Sequence, residues 1–347
     1  MSDRITVSET GTSALGVVET GHSRSLALTF VPIAIAGALL ALVPLWVGDS
    51  RVLMGLAVDG LLFAGYAIAF NVIFGSTGQL FLCVGALAGV GGYTAALLAD
   101  RAGVPLVMGV ILGSIASCLL GGLFSWVAVR RSLDVIFTGI VTLAFSLSFQ
   151  NLLLGQRELT GGETGLVIEA GSGTFLRELI PPYYFFLGLV LVFLAVHGLL
   201  RRSHIGWAFR ALRDDEVAAE LSGINAARYR IYAGMIGSAM LGMAGAVYAY
   251  TEGFISPSTF AFARVDVRVL VMLAFGGIGT LLGPVLGAVV FTILDEVLIG
   301  FVQLREVIYG VLVVALFLGF KGGAIPFLSR LFTRSRKQAR PSAESVE

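Results

Sequence analysis

The feature that most constrains this chain is a near-continuous succession of apolar stretches, most long enough to cross a bilayer. A hydrocarbon core needs about 20 apolar residues per helix. Such runs occupy about 25–48, 52–74, 77–98, 104–129, 133–154, 181–200 and 231–251. A short apolar piece follows at about 267–278, then further runs at about 282–300 and about 306–320. The pattern predicts an all-α integral membrane protein of about ten transmembrane segments, some of them broken or re-entrant. The eighth is too short to cross unless its ends are buried in protein. Charge content agrees: 13% of residues are charged, where a soluble domain carries roughly 25%. The surface must therefore face lipid, and the net charge of +1 points to neither nucleic acid nor an acidic substrate.

Three regions follow. Residues 1–24 are polar and rich in Ser, Thr and Gly. They read as a disordered lead rather than a cleaved signal, because the apolar stretch behind them is too long for a signal core. Residues 25–320 form the membrane domain, and 321–347 a basic tail. Cys83 and Cys118 both sit in apolar stretches with no CxxC or Cys/His cluster, so no disulfide framework and no metal is expected.

Orientation is read from Lys and Arg in the loops. The loop 201–230 carries Arg201, Arg202, Arg210, Arg213, Arg228 and Arg230, and the tail carries Lys321, Arg330, Arg334, Arg336, Lys337 and Arg340. Arg130 and Arg131 separate the fourth and fifth runs. Placing these three regions in the cytoplasm closes a ten-segment path with both termini inside. The loop 155–180, with Glu158, Glu163, Glu169 and Glu178, then lies outside. Arg264, Arg268 and Arg305 fall outside too, against the trend. An alternative folds 267–278 back as a re-entrant hairpin.

Two segments are dense in glycine: Gly75 and Gly78-Gln79 through Gly85, Gly89, Gly91 and Gly92, and Gly276-Gly277 through Gly279, Gly283-Pro284 and Gly287. Gly/Pro clusters let a membrane helix break where it is buried or lines a cavity, and paired breaks in a transporter point to its substrate path. Tight helix packing explains the same glycines equally well. On the first reading the two segments face each other across a path. Deep ionisable residues are few: Asp59 within the second run, His197 near one end of the sixth, Asp295 and Glu296 near the outer end of the ninth. No chain of acidic residues or His suggests a proton relay, and no row of arginines a voltage sensor.

The stretch from Gly206 to Asn225 is the most informative. Asp214 and Asp215 suit a helix N-cap, Gly223 a left-handed C′ position, and Asn225 the cap of the next helix. The punctuation predicts a helix of about two turns over 216–222. Val217 and Leu221 share one stripe, Glu216 and Glu220 another. A helix this short is unstable alone and needs a groove to lie in. An ordinary surface helix on the membrane fits the periodicity as well.

At this loop the chain resembles the membrane permeases of branched-chain amino acid ABC importers, the LivM type. Gly206, Ala208, Arg210, Ala211, Arg213, Asp214, Glu216, Ala218, Ala219, Gly223 and Ile224 are in register with the family's coupling loop. Further matches are Asn71 with Gly75, Gly78 and Gln79; Tyr93-Thr94; Val141 to Phe145; Thr160-Gly161-Gly162; and Gly276-Gly277 through Gly283-Pro284. They run from about residue 60 to about 320.

The resemblance implies a type II importer-like permease bundle in a bacterial or archaeal inner membrane. It implies a second related permease, in a heterodimer, two ATPase subunits, and a periplasmic or lipid-tethered binding protein. The chain has no GxxxxGK[ST] loop, so ATP is expected on the partner ATPases and no cofactor or enzyme activity here. Arg210, Arg213, Asp214, Asp215, Glu216, Ala218, Ala219, Glu220 and Gly223 would couple to the ATPase. Gln79, Phe81, Val84, Tyr93, Thr94, Phe145, Gly276 and Gly277 would line the substrate path. Phe81, Cys83, Val84, the Arg130-Arg131 pair, Glu163, Asp266 and Arg268 depart from the family pattern. Apolar Phe81, Val84 and Phe145 favour a branched-chain or other hydrophobic amino acid. Urea, short amides and sugars are carried by related permeases, and a secondary transporter without an ATPase is the competing class.

Overall fold

The computed structural model describes residues 30–47, 50–168, 178, 180–297 and 311. The 1–24 lead, the tail from 321, the run 306–320 apart from residue 311, and the residues 169–177 of the acidic loop lie outside the described residues. Five described helices are long and apolar enough to cross a membrane: α2 (Arg51–Phe70, extended by a π-helical turn Asn71–Gly75), α4 (Leu106–Arg130), α5 (Val135–Gly155), α6 (Pro181–Arg202) and α9 (Ala226–Glu252). Beside them stand α1 (Phe30–Trp46), α3 (Val84–Ala102), α10 (Phe262–Gly276) and α11 (Gly283–Val297). Between α6 and α9 lie two short helices, α7 (His204–Asp214) and α8 (Glu216–Leu221).

The expected segment 77–98 is shorter as a helix than its hydropathy suggests. The chain leaves helical geometry after α2, runs irregularly to Cys83, and re-enters helix only at Val84. The expected short piece 267–278 is likewise part of α10, whose 15 residues reach about 22 Å, less than the about 30 Å of a hydrocarbon core. It turns at Gly277 and returns as α11.

α9 is the central strut. It packs on α4, α3 and α2 through small residues. A methyl at Gly91 of α3 would strike the Gly242 backbone, and one at Gly245 would strike that of Ala88. Without a hydrophobic drive between helices in lipid, such close approach and interhelical hydrogen bonds hold the bundle. Ser114 and Ser117 of α4 donate to Ala239 O (2.9 Å) and Leu87 O (2.8 Å) on its neighbours. Glycines 91 and 92 are therefore packing residues.

The bundle has two ends. At one, Arg213, Arg230, Gly75 and Gly279 converge. At the other, α9 ends on Gly253 at φ 66°, and Phe254–Ile255 pairs antiparallel with Leu166–Val167. That ladder ties the loop after α5 to the α9–α10 connection.

Candidate functional site: two broken turns and a capped loop

A broken helix inside a membrane exposes backbone donors and acceptors that water cannot reach, so protein groups must satisfy them. In the 78–83 break, Thr142 of α5 accepts from Leu82 N at 2.9 Å. Asp266 of α10, only 2% exposed, accepts from Val84 N at 2.5 Å and Gly85 N at 3.2 Å. It thus caps α3, whose own Cys83 offers no capping side chain. The departure from the family pattern at Asp266 is a buried internal cap.

The second break, Gly277 to Leu282, is fastened to the first. The Asn71 side chain accepts from Gly279 N at 2.7 Å and donates to Thr280 O at 2.8 Å. Arg213 of α7 donates to Gly75 O at 2.5 Å, and its guanidinium also lies against Gly279. Gly277 holds φ 110°, ψ 111°, a conformation that favours glycine.

The expected path residues sit as follows. Gln79 is buried and donates to Arg230 O at 2.9 Å. Phe81 is fully buried, edge-on to Phe124. Val84 is buried at the capped start of α3, and Tyr93 is buried beside Phe260. Thr94 is half-buried. Phe145 is half-buried between Phe124 and Phe149. Gly276 and Gly277 are buried, with Gly276 against Gly283. These residues do not converge on one cavity. An apolar cavity of about 350 Å³, between α1, α2, α6 and α11, is lined by none of them. The two glycine segments meet by direct hydrogen bonding at Asn71, with no space between them there.

The loop closely follows its sequence punctuation. Asp215 is the N-cap of α8 and accepts from Ala218 N at 3.0 Å. Asp214 is the last residue of α7 rather than a cap. Gly223 stands at φ 85°, and Asn225 caps α9 by accepting from Arg228 N at 3.0 Å. Glu216 is engaged inside the chain by Arg230 at 2.7 Å. Ala219 is 4% exposed against Leu212 and Ala226, so it braces the loop. Ala218 and Glu220 face out, and Val217 and Leu221 are 67% and 85% exposed. Arg210 stacks over Trp207, 4.6 Å from the ring centroid.

Sequence reasoning named Asn71 only as a match and read Asp266 only as a departure. An amide and a carboxylate within apolar spans were the available signals, since such groups seek partners in the bundle interior. Arg230 was counted for its charge alone.

A family model described as branched-chain amino acid transport system / permease component matches residues 52–320. The chain is similar to the high-affinity branched-chain amino acid transport system permease protein LivM of Salmonella typhimurium, at 29% identity over 80% of this chain and 71% of that protein. The Escherichia coli LivM is 28% identical over the same shares. The autoinducer 2 import system permease protein LsrC of Yersinia pseudotuberculosis is 30% identical over 54% of this chain and 55% of that protein. No solved structure matches. With a match running from the start of α2 past the end of α11, the chain belongs to the branched-chain amino acid transport system permease-component family.

Proposed function

We propose that this permease forms one half of the translocation path of an importer for branched-chain or other apolar amino acids. It would pair with a second, related permease on two ATPases, and receive solute from a binding protein. ATP would stay on the ATPases, and this chain would need no cofactor. The Arg213 end would be cytoplasmic, with both termini there and ten segments across the inner membrane.

The observation that carries the coupling role is the Val217–Leu221 stripe, exposed on a short helix capped at both ends and tied to the bundle. A helix-in-groove partner would cover it. Arg213 links that loop to both broken turns, so ATPase closure can move them as a rigid body. The amino-acid substrate is supported by the LivM relatives over most of the chain. The LsrC relatives support a small polar solute as the second reading.

Uptake of leucine, urea and ribose by cells carrying the complete system tests this. Leucine uptake that depends on co-expressed ATPase is expected. Ribose uptake without leucine uptake overturns the substrate, and uptake unchanged by loss of the ATPase overturns the coupling.

A further inference from the structure

The loop between α6 and α9 reaches the first break twice. The Arg213 contact falls on Gly75, before Gly78. The second contact falls just after Gly78 and runs through α9. Glu216, the first residue of α8, pairs with Arg230, one turn into α9. The pairing is a fork: Arg230 Nη1 lies 2.7 Å from Oε1, and Nη2 donates to Oε2 at 2.9 Å. Two parallel bonds fix direction as well as distance. On its other side, the Arg230 backbone carbonyl accepts from Gln79 Nε2 at 2.9 Å. Gln79 is buried, and Gly78, Gln79 and Arg230 line one small cavity. A continuous path therefore leads from α8, through Arg230, into the irregular segment that precedes α3. Glu216, expected at the ATPase surface, and Gln79, expected on the substrate path, are thus both engaged inside the chain.

Gly78 separates the two grips. It holds φ 75°, and a methyl there would meet nothing within 4 Å. Glycine adopts such backbone geometry freely, and no packing opposes a rotation there. α7 holds one side of Gly78 and α9 the other, and α8 joins α7 to α9 in sequence. Glu216 is 41% exposed, and ion pairs open to solvent add little stability, so stability alone does not account for the fork. We infer that Arg230 is a second positioning residue for coupling. It carries displacement of α8 to Gln79 while Arg213 holds Gly75, so that relative motion of α7 and α9 turns the chain at Gly78. The inference rests on the ATPase-driven reading above.

The test uses the complete importer in proteoliposomes and reads leucine transported per ATP hydrolysed. Glu216→Ala and Gln79→Met should each lower that ratio about tenfold, with ATPase recovery unchanged. Members of one link are not additive, whereas independent sites add in free energy. Glu216→Ala and Gln79→Met together should therefore lose no more than either alone. Either one combined with Arg213→Ala should show the product of the two losses. A wild-type ratio in both single variants overturns the role of Arg230. So does a ratio that holds while thermal stability or ATPase recovery falls, which is the signature of a merely structural pair. Losses of Glu216→Ala and Gln79→Met that multiply overturn the shared link, and losses that do not multiply with Arg213→Ala overturn the two-sided grip. Should Gln79→Met fail to assemble, the exchanged pair decides. Glu216→Arg should lose coupling, and adding Arg230→Glu should restore most of it, because the backbone carbonyl at 230 stays in place for Gln79. No restoration overturns the inference. A failure of the proposed function itself reads differently: leucine transport by the unmutated importer would then not depend on ATP.

Discussion

Asn71 grips Gly279 and Thr280 with both ends of its side-chain amide, the acceptor 2.7 Å from Gly279 N and the donor 2.8 Å from Thr280 O. These partners lie 208 and 209 residues away, on the turn between α10 and α11. One side chain therefore makes two helix breaks into a single unit. Gly75 accepts from Arg213 at the same place, so the loop that would meet an ATPase is joined to that unit.

Asn71→Ala leaves the Gly279 N–H and the Thr280 carbonyl without these partners. Hydrogen bonds between membrane helices are worth about 0.6 kcal/mol on average and up to about 1.7, so two lost together should lower thermal stability measurably. Asn71→Asp keeps an acceptor for Gly279 N but sets a second carboxylate oxygen against the Thr280 carbonyl in a fully buried site, so it should be no more stable than Ala. Thermal unfolding of the purified complex in detergent checks the order. An Ala variant as stable as wild type would refute the clamp.

Asp266 should be a cap rather than a surface contact. Asp266→Ala removes both acceptors at the start of α3, and a cap is worth about 1 kcal/mol. The amides of Val84 and Gly85 should then exchange hydrogen faster, while those near Leu98 should not. Asp266→Asn retains an acceptor and should show a smaller change. Hydrogen exchange read by mass spectrometry gives the comparison; equal protection in all three proteins contradicts the assignment.

Arg213 is expected to transmit motion rather than to hold the ATPase on. Arg213→Ala should leave the complex intact and lower transport about tenfold relative to ATP hydrolysed, a loss of roughly 1.4 kcal/mol of coupling. Arg213→Lys keeps a charge but replaces the planar guanidinium, whose Nη1 reaches Gly75 O beside Gly279, with a compact ammonium, so it should rescue only in part. The ratio of leucine transported to ATP hydrolysed, measured in proteoliposomes, separates this from simple loss of assembly.

What could be read in the sequence divides along the range of the interactions. The bounds of α8 were legible because Asp215, Gly223 and Asn225 act on backbone within three residues of themselves. The α3 cap was not, because Asp266 reaches Val84 across 182 residues. The glycine segments announced breaks and close packing together. Only the fold separates them: Gly277 serves a turn, whereas Gly91 lets α3 approach α9. In a six-residue helix, periodicity offers several candidate stripes, and it could not say that Ala219 is the buried side.

The orientation of α8 gives the last prediction. Ala219 packs against Leu212 and Ala226, so Ala219→Trp should break the loop itself rather than only exclude a partner. Gly223 has open space around its Cα but sits at φ 85°. Gly223→Val therefore acts through backbone strain, about 1–2 kcal/mol for a side chain in left-handed geometry. Both changes should loosen the Asp215–Asn225 segment, detectable as faster hydrogen exchange in the permease alone. Leu221→Asp is different in kind. Leu221 is 85% exposed, so the permease alone should keep its exchange pattern and stability. What should fail is capture of the ATPase, because a charge would have to enter the groove that accepts the Val217–Leu221 stripe. Pull-down of the ATPase by each variant, at matched permease levels, separates the cases. Full ATPase recovery with Leu221→Asp would mean that this stripe faces the membrane surface instead.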